Sequence, residues 1–370
     1  MVWYRRMVVV LAVVAWCASA ADALPRFSAR TGMKCQSCHV DPSGGGMRQA
    51  FGAKYGREEL PVPEWSDGMS TEDVTNIITN VLGVGADFRT LYMVRSVPDS
   101  SGTTSRTENS FWQMQGDLYL SFRISKKVGL YLKKGLYSGF EVFGSLQVLP
   151  SNGHIKVGKF VPNYGMRMDD HTSFVRTYTG FSPATGRPEL TGVEAAIAPG
   201  AFRIAAGVFN ASDAFGGGDS RKAFLGRAEG LFPLGEDVTL GVGANVYRRE
   251  LEAGGKQTLA GSFGSFSAGD LTVVGEVDMI RSAVAAKTVT AVAGFGEVDY
   301  AVTPGVDLKF MYDFYDPDRD LKSGSVSRYS VGFEFFPVSG VEVRPLYRII
   351  VDDPKDVSNN ELHVLFHLYL

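Results

Sequence analysis

The sequence predicts an all-β fold, a transmembrane barrel of about 16 antiparallel strands. Three observations support this prediction. Most of the chain after residue 80 alternates apolar and polar residues with period two. The turn-rich connections alternate between short and long, and the N-terminus has the pattern of an export signal. We therefore assign residues 80–370 to the barrel.

Sixteen segments of the chain have strand periodicity, with Gly, aromatic and β-branched enrichment. They are 81–96, 109–125, 127–136, 139–149, 153–161, 190–198, 201–210, 222–232, 237–248, 257–267, 270–281, 287–301, 305–316, 325–337, 341–351 and 360–370. In the last one, Leu362, Val364, Phe366, Leu368 and Leu370 share a face that would meet lipid, and His363 and His367 fall on the other.

The connections predict which rim is which. Short ones lie at 199–200, 233–236, 268–269, 304–305 and 337–340, and longer polar ones lie at 97–108, 162–189, 211–221, 249–256, 316–324 and 352–359. Short periplasmic turns and long extracellular loops are typical of outer-membrane barrels. A soluble all-β protein with the same strand period is the alternative, and the export signal and strand count disfavour it.

The first residues predict export. Arg5 and Arg6 precede an apolar stretch from Met7 to Ala18 and small-residue cleavage patterns that end at Ala20 and Ala23. This is the pattern of a secretory signal peptide, assigned to residues 1–23. The apolar stretch is too short for a membrane anchor, which needs about 20 residues.

Composition excludes several classes of protein. Gly 43, aromatic residues at 12% and charged residues at 21% accompany a hydrophobic content of 45% and a mean hydropathy of -0.01. These values do not fit a helical membrane protein or a disordered chain. A net charge of -3 gives no basic footprint, so no nucleic-acid partner is expected.

The residues Cys35-Gln36-Ser37-Cys38-His39 have the spacing of a c-type haem attachment site. Two thiols at this spacing can form thioethers with the two vinyl groups of one haem, and the next residue presents an imidazole to the iron. A thioredoxin-like redox pair would need a βαβ context, and a zinc site would need a second ligand pair. Neither context is present, so we predict one covalent haem c and assign residues 24–79 to a small helical cytochrome domain.

The sixth ligand of the haem iron is less well defined by the sequence. After the turn at Gly44-Gly45-Gly46, residues 47–56 read as a short helix ending in glycine, with Phe51 and Tyr55 placed to cover one haem face. Met47 is the first candidate for the distal ligand, with Met33 and Met69 as rivals. The alternatives are that these methionines only pack on the porphyrin, or that the site is open or His-ligated.

Three further sets of residues could serve a redox site. The long connection 162–189 either folds into the lumen or is an ordinary solvated loop. If it folds into the lumen, Met166, Met168 and His171 are candidate haem contacts or ligands, or Asp169, Asp170 and His171 hold a ferrous ion. Asp313, Asp316, Asp318 and Asp320 form either an Fe(II) rim site or a solvated acidic rim. His154, His363 and His367 are expected to face the lumen, as ligands or as plain lumen residues.

The order of these elements resembles the fused cytochrome-porins of iron-oxidising bacteria. The specific motif runs from Cys35 to Tyr55, including Pro42 and the aromatic-Gly-x-x-aromatic stretch that starts at Phe51. The chain departs from the family in its three consecutive glycines and its compact barrel. The resemblance implies an outer-membrane location, a haem in or near the barrel lumen, thioether bonds at Cys35 and Cys38, and His39 as proximal ligand.

The same resemblance implies an electron-transfer function. The family takes electrons from extracellular Fe(II), and a periplasmic cytochrome would accept them, so the chain is expected to act as a ferrous iron oxidase in contact with outer-membrane lipid. Two alternatives stay open at this point. One is an outward conduit that reduces extracellular acceptors, and the other is a substrate porin whose haem domain is a structural or sensory plug.

Overall fold

A computed structural model describes residues 26–66, 76–99, 104–136, 139–168, 170–182, 188–212, 220–252, 254–285, 287–355, 357 and 359–370. The predicted signal peptide, Met69 and Asp169 lie outside these residues. Within the described part of the chain, no helix is long and apolar enough to cross a membrane.

Sixteen antiparallel strands form a closed barrel. They are β1 (Leu82–Pro98), β2 (Thr104–Arg123), β3 (Val128–Gly135), β4 (Phe140–Leu149), β5 (Gly153–Phe160), β6 (Leu190–Ile197), β7 (Phe202–Asn210), β8 (Lys222–Pro233), β9 (Val238–Glu250), β10 (Lys256–Ala268), β11 (Leu271–Val284), β12 (Lys287–Thr303), β13 (Val306–Asp316), β14 (Val326–Phe335), β15 (Val341–Asp352) and β16 (Glu361–Tyr369). Each strand pairs with its sequence neighbours, and β1 pairs with β16 to close the barrel. The predicted fold class and strand number are confirmed.

The strands separate an apolar outer face from a polar lumen. In β16, Leu368 is 50% exposed on the outside, whereas His367 is 2% exposed on the inside. The period of two that predicted this face is therefore confirmed. The predicted strand bounds are close to the observed ones; the largest difference is in β2, which begins at Thr104 rather than at residue 109.

The connections also follow the prediction, with two exceptions. Long ones at one rim include residues 161–189 and 211–221, and the opposite rim has only short turns. On the long-loop rim, however, β3–β4 and β11–β12 are joined by short connections at 136–139 and 285–286. The outer rim is therefore uneven in height around the barrel.

The lumen contains two segments of the chain. The N-terminal segment (residues 26–66) carries helices α1 (Arg26–Thr31), α2 (Cys35–Cys38), α3 (Ala50–Glu58) and α4 (Pro63–Ser66), and the inward segment (residues 161–182) carries α5 (Phe174–Thr179). Instead of a helical domain of its own, the N-terminal segment forms only these short helices against the lumenal wall. The prediction that connection 162–189 folds into the lumen is confirmed for the part that the structure describes.

The two segments enter from opposite rims. The backbone N–H of Val62 donates to the carbonyl of Phe336 (2.9 Å), at the short β14–β15 turn, so the N-terminal segment lies at the short-turn end. The inward segment follows β5 from the long-loop rim. The wall beside the space between them includes residues near the short-turn ends of their strands, such as Val274, Glu342 and His367.

Candidate functional site

The two cysteines of the motif lie on a single helical turn. Cys35 and Cys38 are the first and last residues of α2, and both thiols are free. Residues three apart on a helix share a face, so the geometry suits two attachments to one group. Cys35 is buried, and this burial raises the pKa of its thiol to about 12.

Glycines allow the chain to pack tightly around this turn. A Cβ at Gly44, whose φ is +88°, would lie 2.8 Å from the Sγ of Cys35. A Cβ at Gly52 would collide with the carbonyl oxygen of Cys38. The aromatic-Gly-x-x-aromatic stretch therefore has a structural reason for its glycine: α3 lies directly on α2.

The predicted helix over residues 47–56 is shifted. The observed α3 runs from Ala50 to Glu58 and does not stop at Gly56. Met47 is extended instead, because its carbonyl accepts a hydrogen bond from the N–H of Val40 (2.9 Å). The helix begins only after this short bridge.

His39 has the environment of a neutral, ligand-competent imidazole. Burial, together with the positive charge of Arg48, lowers the pKa of His39 to about 4. The ring hydrogen-bonds to the backbone of Gly46, while its buried Nδ1 atom has no hydrogen-bond partner. A metal-ligating histidine uses one nitrogen for the metal and the other for a carbonyl or similar acceptor. His39 fits that role because its ring contacts the Gly46 backbone while one of its nitrogens has no hydrogen-bond partner.

A cavity of about 280 Å³ opens beside these residues. Both lumenal segments and the wall line it, and the lining includes all three motif residues with Met33, Phe51, Tyr55, Met166, Met168, His171 and His367. The structure thus brings together Cys35, Cys38 and His39 with the two aromatic residues predicted to cover a haem. The imidazole of His39 with its unpartnered Nδ1 atom, the two free thiols and the cavity beside them fit one haem c.

Met47 is not among the residues that line this cavity. Its side chain is fully buried against the barrel wall, where a Cβ at Gly83 or Gly85 would come within 3.2 Å of it. The sequence suggested Met47 because it is the first methionine after the glycine turn. The notch made by two glycines of β1 instead gives it a packing role.

The predicted acidic rim site is not assembled. Asp313 is fully buried and accepts hydrogen bonds from Arg328 (2.8 Å) and the N–H of Phe174 (2.8 Å). Asp316 and Asp318 instead accept hydrogen bonds from nearby backbone N–H groups in the following turn. Within the described residues, no group of three or more His, Cys, Asp or Glu side chains could hold a metal ion. Alternation along β13 turns Asp313 into the lumen, where it pairs with Arg328, whereas Asp316 and Asp318 lie at the end of the strand and in the following turn.

Asp41 links the motif to the wall and to the inward segment. Lys156 of β5 lies 3.0 Å from its carboxylate, and Arg167 of the inward segment lies 3.9 Å from it. Although burial opposes it, the charges of Lys156 and Arg167 lower the pKa of Asp41 to about 2. Sequence reasoning missed this contact, although Lys156 occupies a lumen-facing position of its strand.

The inward segment is fixed both by backbone hydrogen bonds and by side chains, among them Asp170, which pairs with Arg348 of β15 at 2.7 Å. Gly165 N–H donates to Asn245 (2.6 Å), and Met166 N–H donates to Glu276 (2.7 Å). The Tyr164 hydroxyl donates to Asp278 (2.6 Å). Asn245, Glu276 and Asp278 are buried on the lumen side of β9 and β11. Sequence reasoning also missed these wall acceptors, because their role becomes visible only when the backbone of the inward segment is seen to lie beside them.

The histidines of the wall face the lumen as predicted. His367 lies between Asp87 (3.0 Å) and Glu342 (2.8 Å), and His363 contacts Glu361 (2.8 Å). His154 is buried on β5. His367 and His363 are thus held by carboxylates, as expected for structural residues of the lumen.

Comparisons with known proteins bear on the fold. No family model matches the chain, and no curated protein sequence matches it. Among solved structures, OmpT of Vibrio cholerae, expressed in the outer membrane, has a TM-score of 0.57 at 14% identity, over 80% of this chain and 100% of that chain. An anion-selective porin from Comamonas acidovorans has a TM-score of 0.57 at 13% identity, over 78% and 99%. The outer membrane channel DcaP of Acinetobacter baumannii has 0.54 at 11%, over 80% and 100%. The barrel is therefore porin-like.

Proposed function

We propose that this protein is an outer-membrane barrel that carries one covalent haem c and transfers electrons across the membrane, from extracellular Fe(II) to a periplasmic cytochrome. The observation that carries the proposal is the position of the motif: Cys35, Cys38 and His39 border one cavity inside the lumen. The export signal and the porin-like fold support the location.

Haem c, when bound, supplies a one-electron carrier whose potential depends on its axial ligands and surroundings. The chain provides the rest. Cys35 and Cys38 would hold the haem, and His39 would bind its iron. The wall keeps the N-terminal segment in place through pairs such as Arg30 with Asp307 (2.9 Å), and thereby sets the depth of the haem in the barrel.

The two lumenal segments have a second role in this proposal. A barrel of 16–18 strands alone leaves an aqueous channel. Here one segment enters from the short-turn end and the other from the long-loop end, and both contact the wall. Because they occupy part of the lumen, the proposal expects electrons rather than solutes to cross.

The test is electron transfer by the full mature chain in proteoliposomes that enclose an oxidised acceptor. External Fe(II) should reduce the acceptor, and a matched variant with Cys35→Ser and Cys38→Ser should not. Equal acceptor reduction by both proteins, or by neither, would overturn the proposal. Reduction of the haem by dithionite but not by Fe(II) would contradict the inward direction and favour an outward conduit.

A second candidate, a substrate channel, is favoured by the porin-like fold itself. Planar bilayers separate the two functions. The electron conduit predicts little or no steady ion current through the full chain, whereas a channel predicts currents typical of an open barrel. A large current would contradict the occupied lumen on which the proposal depends.

A further inference from the structure

The haem motif and the inward segment meet at one point. Asp41, two residues after His39, lies 3.9 Å from Arg167 of the inward segment. Arg167 also approaches Gly45, where a Cβ would lie 3.9 Å from its guanidinium nitrogen. The residues on either side of Arg167 are therefore close to the haem motif and its cavity.

Two methionines flank this contact and line the cavity. Met166 is 1% exposed and belongs to the buried apolar cluster with Tyr164 and Phe181. Met168 packs on the same cluster but is only partly buried. Its remaining exposed surface, on a residue that lines the cavity, leaves it the better placed of the two.

The other candidates for the same role are occupied or displaced. Met47 lies in the notch of β1, outside the cavity lining. His171 Nε2 lies 3.3 Å from the Arg89 guanidinium, which uses the lone pair that iron would need. Met33 also lines the cavity, but it lies two residues before Cys35, in the segment that already supplies both thioether sites and His39.

We infer that Met168 of the inward segment supplies the axial ligand opposite His39, so that the barrel, and not the haem-bearing segment, completes the iron site. This inference rests on the proposed function. The thioether sulfur is a known axial ligand of haem c and raises its potential. A haem bound in this way would connect the two lumenal segments.

The test compares spectra of purified, haem-loaded variants. Met168→Leu keeps the side-chain volume nearly constant, and it should abolish the sulfur-to-iron charge-transfer absorption of the ferric protein. It should also allow carbon monoxide to bind the ferrous haem readily and lower the midpoint potential. Met166→Leu and Met47→Leu are matched controls that should retain the wild-type spectrum.

The outcomes separate this inference from the proposed function. Retention of the charge-transfer absorption in Met168→Leu, its loss in a control variant, or its absence from the wild type would overturn the assignment of Met168 while leaving a covalent haem. Absence of covalent haem from the wild type, seen in a denaturing gel stained for haem, would overturn the proposed function as well. Met168→Leu should lose the six-coordinate, low-spin spectrum. Its presence in Met168→His would support the placement of residue 168 over the iron.

Discussion

The N-terminal segment and the inward segment share the lumen but are held in different ways. The N-terminal segment uses charged side chains against charged wall residues. The pairs are Arg26 with Glu334, Arg30 with Asp307, Asp41 with Lys156, and Arg48 with Asp87. The inward segment presents backbone N–H groups to wall acceptors, as Met166 does to Glu276 and Phe174 does to Asp313, and it also pairs Asp170 with Arg348.

This difference explains what each segment reveals in its sequence. Side-chain pairing requires particular residue types in the segment, so the motif and the charged residues near it can be recognised in the sequence of the segment itself. Backbone anchoring places almost no requirement on the segment and puts the requirement on distant strands. A wall carboxylate such as Glu276 therefore determines where a segment more than a hundred residues away in the sequence binds.

The largest expected effect concerns the lumen itself. Deleting residues 26–66, or replacing residues 162–188 by a short Gly-Ser turn, should each raise ion conductance in planar bilayers above that of the full chain. Phe160 and Leu190 are paired neighbours, so a short turn can join their strands. Both changes together should give the largest current, because a barrel of this size is open when empty. Equal currents from all four proteins would show that neither segment closes the lumen.

The next effect tests the charged anchoring. Asp41→Asn leaves Lys156 fully buried without its nearest carboxylate. We expect it to weaken docking of the N-terminal segment by about 3 kcal/mol, near the lower limit for breaking a buried pair, because Glu194 remains 3.9 Å from the Lys156 amine. Hydrogen exchange of residues 26–66 measures this change.

Lys54→Gln provides the matched control for Asp41→Asn. Lys54 pairs with Glu58 at 3.6 Å on an exposed face of α3, so its loss should change docking by less than about 0.5 kcal/mol. A comparable effect of the two substitutions would contradict the role of the buried pair.

The same anchor predicts a dependence on pH. The pKa of Asp41 is about 2 in the folded protein, against an ordinary value of 3.8. Its contribution to docking is therefore complete above pH 3.8 and is lost as the pH falls through about 2. Protection of the N-terminal segment from exchange, relative to the unfolded chain at the same pH, should fall over this range in the wild type. The loss of protection should be smaller in Asp41→Asn, and an identical pH profile would refute the assignment.

The smallest effect concerns backbone anchoring. Glu276→Leu removes the acceptor of Met166 N–H and should weaken docking of the inward segment by about 1–3 kcal/mol. Glu276→Gln keeps a carbonyl acceptor and should have a smaller effect. Limited proteolysis within residues 161–182 measures the difference. If these variants loosen the N-terminal segment as much as the inward segment, the two segments are not held independently.

The barrel could be predicted almost completely from the sequence because its signal is repeated. Each strand must turn alternate residues toward the outside, so the pattern in β16 recurs in strands such as β7, β9 and β11. The positions of Cys35, Cys38 and His39 beside one another could also be predicted, since their spacing is local. What surrounds them could not, because the cavity depends on strands far away in the chain.

Met47 and Asp313 illustrate the limits of local reasoning at the site. Met47 is near His39 in sequence, but two glycines of β1 provide a better-fitting notch for its side chain. Asp313 is near other aspartates, but β13 turns it inward to Arg328. In both cases a wall residue, rather than a sequence neighbour, decides where the side chain lies.

The most direct test of the central claim is the absorption spectrum of the detergent-folded protein, recorded anaerobically before and after addition of Fe(II) at neutral pH. The account predicts a covalent haem c whose reduced α-band rises rapidly with Fe(II), and no such band in the variant with Cys35→Ser and Cys38→Ser. A wild-type protein without covalent haem, or with a haem that yields only to dithionite, would contradict it.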